Sequence, residues 1–383
     1  MTNKRVAVGV LAAAGLLVAA APSAATTPPP SSEPSASSEV DEPVDLAAVC
    51  PDTIVIQTDW FPESEYGAVY NLLADDYEID VDNKKVSGAL IAQGRPTGVD
   101  IEIRAGGAAG SGDVETLMYT DDAITFAFGT TDGQILAWEN TPLTSVVAPL
   151  EISPLMIMWD PETYPDVTSI ADLGEHGITV NAFGGQTFTT VLSAMGVLSE
   201  DQVDPSYDGG PSRFIAEGGA IAQQGFASGE PFLYETVYED WLRPVDYELI
   251  HDAGFQTYSQ TLAIRPDDLE SLRPCLEAFV PVVQHSAVEF ITDPARTNAA
   301  IVDIVAQYDT FWVYTAELAE YSVTTQAELG LTGNGSDDVI GNFDPDRIET
   351  LLQQVRDAGL EVPDDLTADQ LYTNEFIDDE IAL

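Results

Sequence analysis

One stretch constrains the fold more than any other: Ile54-Val55-Ile56-Gln57-Thr58, a short apolar run, ends in the aromatic-acidic turn Asp59-Trp60-Phe61-Pro62. A helix pattern follows at once. Tyr66, Val69, Tyr70, Leu72 and Leu73 recur at helical spacing, and Pro62 suits a first helical turn. The reading is a buried strand whose carboxyl end presents Asp59 and Trp60. In open α/β sheets, ligands sit outside the carboxyl ends of strands.

The alternation continues down the chain. Val99 to Arg104 alternates with period two and opens into the glycine-rich run 105–112, a helix pattern covers Val114 to Tyr119, and Ala123 to Phe128 reads as a third strand ending at Gly129-Thr130. Such β-α-β-α order predicts a parallel sheet with helices on its faces, so Gly106, Gly107 and Thr130 should line the same crevice as Asp59 and Trp60. Between the first two strands, the insertion Asp75 to Gly94 carries Asp80, Asp82 and Asn83. It lacks the glycine and terminal glutamate of a calcium loop and reads as a surface hairpin.

Two pairs of extended runs suggest crossings between lobes. Ser145 to Leu150 and Leu155 to Trp159 flank a proline break, and Tyr247 to His251 with Thr257 to Ile264 run back. The expected architecture is two α/β lobes joined by a two-strand hinge, with 50–147 and 256–383 forming lobe 1 and 148–255 lobe 2. Within lobe 2, a strand at Gly177 to Asn181 enters Phe183-Gly184-Gly185-Gln186-Thr187, ahead of a helix from Thr189. Backbone N–H groups of Gly185 and Gln186 with the Thr187 hydroxyl would suit an anionic or carbonyl group of a ligand; helix capping by Thr187 is the alternative. From Pro266 onward the pattern is mainly helical, over Leu269 to His285, Pro294 to Tyr308, Thr325 to Leu329 and Asp346 to Ala358, and Phe311, Trp312 and Tyr314 read as core between these helices.

The N-terminus reads as an export signal over 1–25: two cations in Met1 to Arg5, then an apolar run from Val6 to Ala21. No lipid-anchoring cysteine follows it directly. Residues 26–49 are rich in Pro, Ser and Glu and read as a disordered spacer. In an exported chain the only two cysteines, Cys50 and Cys275, are expected to be bonded, two buried thiols being the alternative.

Composition excludes several functions. With 65 acidic against 13 basic residues the formal charge is −52, which repels nucleic acid and anionic membrane surfaces. An acidic solvated surface explains most of it, and attraction of a cationic ligand is a second reading. Catalysis lacks its parts: the three histidines, His176, His251 and His285, belong to no catalytic motif, and there is no nucleophile elbow, zinc motif or phosphate-binding loop. Neither a metal site nor a cofactor is expected.

The opening Thr58-Asp59-Trp60-Phe61-Pro62, with Tyr66-Gly67-Ala68-Val69-Tyr70 behind it, resembles the start of the NMT1/THI5-like substrate-binding proteins of ABC importers, relatives of nitrate-, sulfonate- and thiamine-precursor-binding proteins. The resemblance covers the chain from about Cys50. It implies a periplasmic-binding-protein type II fold, a monomeric exported protein that captures a small molecule by hinge closure, and an ABC permease as partner. Gly225 to Glu235 resembles the family's second-lobe strand and helix start, which makes Tyr234 and Glu235 ligand-contact candidates; a core aromatic and a surface acid are the alternative reading.

On that reading Trp60 and Tyr66 stack on the ligand, Asp59 accepts a hydrogen bond from it, and Gly107, Thr130 and Thr187 add backbone or hydroxyl contacts. A nitrogen heterocycle such as a thiamine-type pyrimidine suits this set better than nitrate or a sulfonate, because Arg104 and Arg213 are the only candidate cations and neither has a clear place in the cleft. Pyrimidine-forming members carry a His before the Gly where this chain has Tyr66, which counts against the alternative of a pyrimidine-precursor synthase. A ligand sensor not coupled to transport is a further alternative.

Overall fold

The computed structural model describes residues 44–106 and 113–383. The expected signal, most of the spacer and Gly107 lie outside them. In chain order the first sheet is laid down as β1 (Thr53–Gln57), α1 (Gly67–Tyr70), β2 (Glu78–Asp80), β3 (Lys85–Ala92), β4 (Arg95–Arg104), α2 (Val114–Thr120), β5 (Phe126–Gly129), α3 (Thr131–Ala137) and β6 (Thr144–Val147). The chain then crosses to β7 (Leu155–Trp159), α4 (Ile170–His176), β8 (Val180–Asn181), α5 (Thr187–Ala194), β9 (Val203–Asp204), α6 (Ser212–Ala216), β10 (Ala222–Phe226), α7 (Glu230–Thr236) and β11 (Asp246–Leu249). It returns through β12 (Thr261–Ile264) and ends in α8 (Leu269–Thr292), α9 (Ala295–Tyr308), α10 (Ala316–Glu328), α11 (Pro345–Asp357) and α12 (Ala368–Leu371).

Two sheets result, one of seven strands in the order β2-β3-β4-β1-β5-β12-β6 and one of five in the order β11-β7-β10-β8-β9. The parallel sheet expected from the β-α alternation holds where that alternation runs, with β1 parallel to both β4 and β5. Elsewhere the pairing is antiparallel for local reasons. The insertion folds as the β2–β3 hairpin, whose second strand pairs antiparallel with β4, and β12, arriving from the other sheet, runs against both β5 and β6. Residues 148–154 and 250–260 are the two crossings between the sheets.

The apolar alternation of the strands is what buries them. Ile54, Ile56, Ile101, Ile103, Phe126 and Phe128 form one face of the large sheet, packed with Leu276, Phe279 and Val283 of α8. Cys50, just before β1, is bonded to Cys275 in α8 across a sequence separation of 225. Closing a loop of that length removes enough unfolded-chain entropy to stabilise by up to about 5 kcal/mol. Leu46, in the segment read as spacer, is fully buried in the same core, and its N–H donates to the Thr97 carbonyl at 2.9 Å, so the packed core includes chain ahead of the cysteine.

The helix read over Tyr66 to Leu73 is shorter than its periodicity suggests. A 3-10 turn, Ser64–Tyr66, leads into the single turn of α1, and the segment is buried on all sides rather than on one face. Gly67 lies so close to Phe290 of α8 that a Cβ would sit 2.1 Å from a ring carbon. The apolar positions therefore feed a core on every side. At the other end of the chain, Ile348, Leu351, Leu352 and Val355 of α11 share a core with Phe188, Val191 and Leu192 of α5 and with Ile135 of α3. One helix thus packs on elements attached to both sheets.

Candidate functional site

Between the sheets lies a cavity of about 590 Å³, with walls drawn from both of them. Its floor starts where β1 ends. The Thr58 hydroxyl donates to the carbonyls of Trp60 at 2.8 Å and Arg104 at 3.0 Å, and the Gly106 N–H donates to the Trp60 carbonyl at 3.0 Å. Only glycine fits at 106, since a Cβ there would lie 1.9 Å from the Thr58 oxygen. The turn so pinned puts Asp59 and Trp60 into the cavity. Trp60 reaches across the cleft, with its ring edge-on to Phe183 of the other lobe at 6.4 Å between centroids and to Trp312 at 6.0 Å.

Of the sequence-read ligand residues, Asp59, Trp60, Tyr66, Thr130, Gly185, Gln186 and Thr187 line the cavity. Three are arranged differently from expectation. The Tyr66 hydroxyl donates to Asp59 at 2.5 Å while its ring packs edge-on against Phe128, so this side chain orients the acid from a buried position. Thr130 caps α3, accepting from the Gly133 N–H at 3.0 Å. Thr187 is the first residue of α5 and Gln186 its cap, without a side-chain cap bond.

Two candidates are corrected. Tyr234 is core: it is 1 % exposed, packed against Phe214 and Trp241, and its hydroxyl accepts from Gln223 Nε2 at 2.9 Å. Glu235 points to solvent. Helix α7 does serve the cavity, but through its first turn, where Glu230 accepts from the Phe226 N–H at 2.6 Å, and through Leu233. The reading of the 311–314 loop as core holds for Tyr314, which is buried in the main core and also borders the cavity, and in part for Trp312, which packs against that core and lines the cavity; it is corrected for Phe311, which is 64 % exposed.

The residues missed by sequence are chiefly acids: Glu63, Glu65 and Glu230 line the cavity with Asp59. Glu65 accepts from the hydroxyls of Ser228 and Ser322. Glu63 is 4 % exposed, and its Oε1 has no hydrogen-bond partner. Burial raises the pKa of all four. Glu63 is pushed well above the usual glutamate value, first by desolvation and then by the charges of Glu65, Asp59 and Glu230, with the Gln260 amide opposing the rise. Glu230 is pushed up to about 7, mainly by desolvation. Desolvation also raises Asp59 and Glu65, against the hydrogen bonds from Tyr66 and Ser228.

No Lys, Arg or His stands among the described lining residues. The two candidate cations are engaged elsewhere: Arg104 pairs with Glu102 and Asp121, and Arg213 with Asp204. Among the described residues no group of His, Cys, Asp and Glu side chains is placed to hold a metal ion. The site can therefore offer hydrogen-bond acceptors, negative charge and aromatic faces. Among the described residues it has no cation to bind an anion.

No family model matches the chain, and no curated protein matches it in sequence. Solved structures match its fold. The periplasmic aliphatic sulphonate-binding protein SsuA of Escherichia coli is 13 % identical, covers 84 % of this chain and 92 % of its own, and superposes with a TM-score of 0.51. A ligand-binding component of an ABC-type import system from Staphylococcus aureus, with zinc bound, is 12 % identical over 84 % of this chain and 97 % of its own, at 0.54. A Candida albicans protein described as having the generic periplasmic binding protein fold is 13 % identical over 86 % of this chain and 98 % of its own, at 0.50. The chain has the periplasmic-binding-protein fold, two α/β lobes joined by two crossings.

Proposed function

We propose that this protein is the solute-binding component of an ABC importer, an exported and non-catalytic chain that closes its two lobes, 50–147 with 256–383 and 148–255, on a small molecule and presents it to a membrane permease. The observation that carries this reading is the cavity itself: about 590 Å³, walled from both lobes, with the crossings 148–154 and 250–260 beside it. Such a volume suits a small metabolite. Contacts to both walls form only when the lobes are shut, so a ligand's preference for the closed state drives closure.

Trp60, Phe183 and Trp312 supply stacking faces, and Asp59, held by Tyr66, accepts from a ligand N–H. A flat nitrogen heterocycle fits that set. A sulfonate, which the E. coli neighbour binds, does not, because no cation among the described residues lines the cleft to receive it. The want of a lining histidine among the described residues also favours capture over pyrimidine synthesis.

The test is a thermal-shift screen of the full chain against small metabolites of every charge class, followed by X-ray scattering with any hit. A ligand present at a hundred times its dissociation constant stabilises by about 2.7 kcal/mol, and closure should reduce the radius of gyration. Trp60→Ala should weaken the hit by about 1–3 kcal/mol while leaving the ligand-free melting temperature nearly unchanged. A loss of ligand-free stability instead would make Trp60 a core residue and remove the platform.

A further inference from the structure

The cavity is more than acidic: it contains buried polar atoms that no described residue satisfies. Glu63 Oε1, Gln260 Oε1 and Ser259 Oγ all lie in its wall, are buried and lack a hydrogen-bond partner. A buried polar atom left unpaired costs about 1–3 kcal/mol, more when charged, and native proteins keep few of them. Three around one cavity mark where a ligand's donors belong. Gln260 also sits at φ +56°, a left-handed conformation costly for a residue with a Cβ, and backbone held there turns this amide toward the site.

We propose, on the reading of the protein as a solute-binding component, that its ligand is an organic cation with N–H donors, an ammonium, amidinium or guanidinium, whose charged nitrogen sits on Glu63 and Gln260 and whose body lies against Trp60, Phe183 and Trp312. Five carboxyl groups, those of Asp59, Glu63, Glu65, Asp132 and Glu230, and no cation line the wall among the described residues, so a positive ligand is the group that completes the electrostatics. Aromatic faces around an acid also favour a cation over a neutral ring. A bare metal ion is not the answer, because the described acids are not placed to ligate one and the surrounding wall is aromatic. A quaternary ammonium would satisfy the charge but leave the acceptors empty.

Protons should report the same event. The groups around Glu63 are Asp59, Glu65, Tyr66, Tyr70, Glu230, Gln260 and Tyr314, all acidic or neutral, so without ligand only the Gln260 amide favours the ionised Glu63 carboxyl against burial and the neighbouring acids. A bound cation would favour it far more. Binding then releases a proton at pH values between the liganded and ligand-free pKa, and affinity rises with pH across that window.

The experiment titrates the full chain with butylammonium, agmatine, tetramethylammonium, butanol and butanesulfonate, by thermal shift and by calorimetry at pH 5.5 in buffers of different ionisation heat. The expected result is stabilisation by butylammonium or agmatine alone, proton release on binding, and at least a tenfold weaker affinity in Glu63→Gln, whose ligand-free melting temperature is unchanged or higher. If that variant fails to fold, proton release by the unaltered protein still decides. Stabilisation by butanol or butanesulfonate only, or by tetramethylammonium as strongly as by the amines, overturns the cation assignment and leaves solute capture standing. Amine binding that neither releases protons nor changes from pH 5 to pH 8 also overturns it. Should no compound of any charge class bind, here or in the wider metabolite screen, both readings fall together.

Discussion

Two largely buried glutamates in this protein are treated in opposite ways. Glu151, on the first crossing, faces Arg347 of α11: the guanidinium donates to the Glu151 carbonyl at 2.8 Å and its Oε1 at 3.2 Å, and to the carbonyls of Gln256 at 2.7 Å and Thr257 at 2.9 Å on the second crossing. Its plane lies 3.6 Å from the Tyr258 ring centroid. Glu63, in the cavity, faces no cation among the described residues. The chain has only 13 basic residues, yet one of them is buried at the hinge and none lines the cavity among the described residues. Scarcity of positive charge therefore does not explain the empty side of Glu63; a buried cation was placed where structure needs it and withheld where a ligand would sit.

The strongest way to break this comparison is Arg347→Leu. Removing one partner of a buried ion pair typically costs about 3–5 kcal/mol. Here it also strands three backbone carbonyls, and Glu151, already raised to about 7 by desolvation against the pull of Arg347, loses its counter-charge. Urea unfolding of ligand-free protein should register that loss. Arg347→Lys should recover little of it, because an ammonium cannot reproduce a planar fork over a ring and three carbonyls. If either variant proves as stable as the parent, the hinge pair is ornamental and the contrast with Glu63 has no energetic basis.

A middle-sized effect comes from pH. Glu230 has its folded-state pKa raised to about 7 by burial, so between the ordinary glutamate value and about 7 the folded protein holds more protons than the unfolded chain. More protons bound in the folded state means stability falls as pH rises through that window, with the loss complete above it. The contribution is on the order of 2 kcal/mol once partial contact with solvent is allowed for. Glu230→Gln should flatten the slope of stability against pH between 5 and 8, without abolishing it, because Asp59, Glu63 and Glu65 are raised too. An unchanged slope would place the titrating acids outside the cavity.

How much of this was legible beforehand follows from the range of the interactions. The strands β1, β4 and β5 and the turn at Asp59-Trp60 rest on local alternation and turn chemistry, and both crossings fall where the proline break and the return runs predict. Helix α1 was overdrawn because its periodicity could not reveal that Phe290, more than 200 residues on, closes the outer face. Glu63 and Glu65 stood within the most informative stretch but were passed over, since in a chain with 65 acidic residues another acid carries no signal until its surroundings are known. Trp312 and Tyr314 belong to a loop whose approach to Trp60 is set by tertiary packing alone. Tyr234 and Glu235 came from resemblance, and the helix register displaced the site by one turn to Glu230.

The smallest expected effect tests whether the second crossing is divided in function along its length. At one end, Gln256 and Thr257 give their carbonyls to Arg347; at the other, Gln260 holds φ +56° with its Oε1 unpartnered in the cavity wall. A left-handed residue with a Cβ costs about 1–2 kcal/mol, which glycine avoids, although glycine also gives back some entropy to the unfolded chain. Gln260→Ala keeps the strain and Gln260→Gly removes it, while both delete the amide. Glycine should therefore be the more stable of the two by about 1 kcal/mol or less in urea unfolding, with equal loss of ligand affinity. Equal stability would mean the crossing relaxes freely at this point, and the amide would then be a passive wall group; a glycine advantage would mean the backbone is held under strain to aim it.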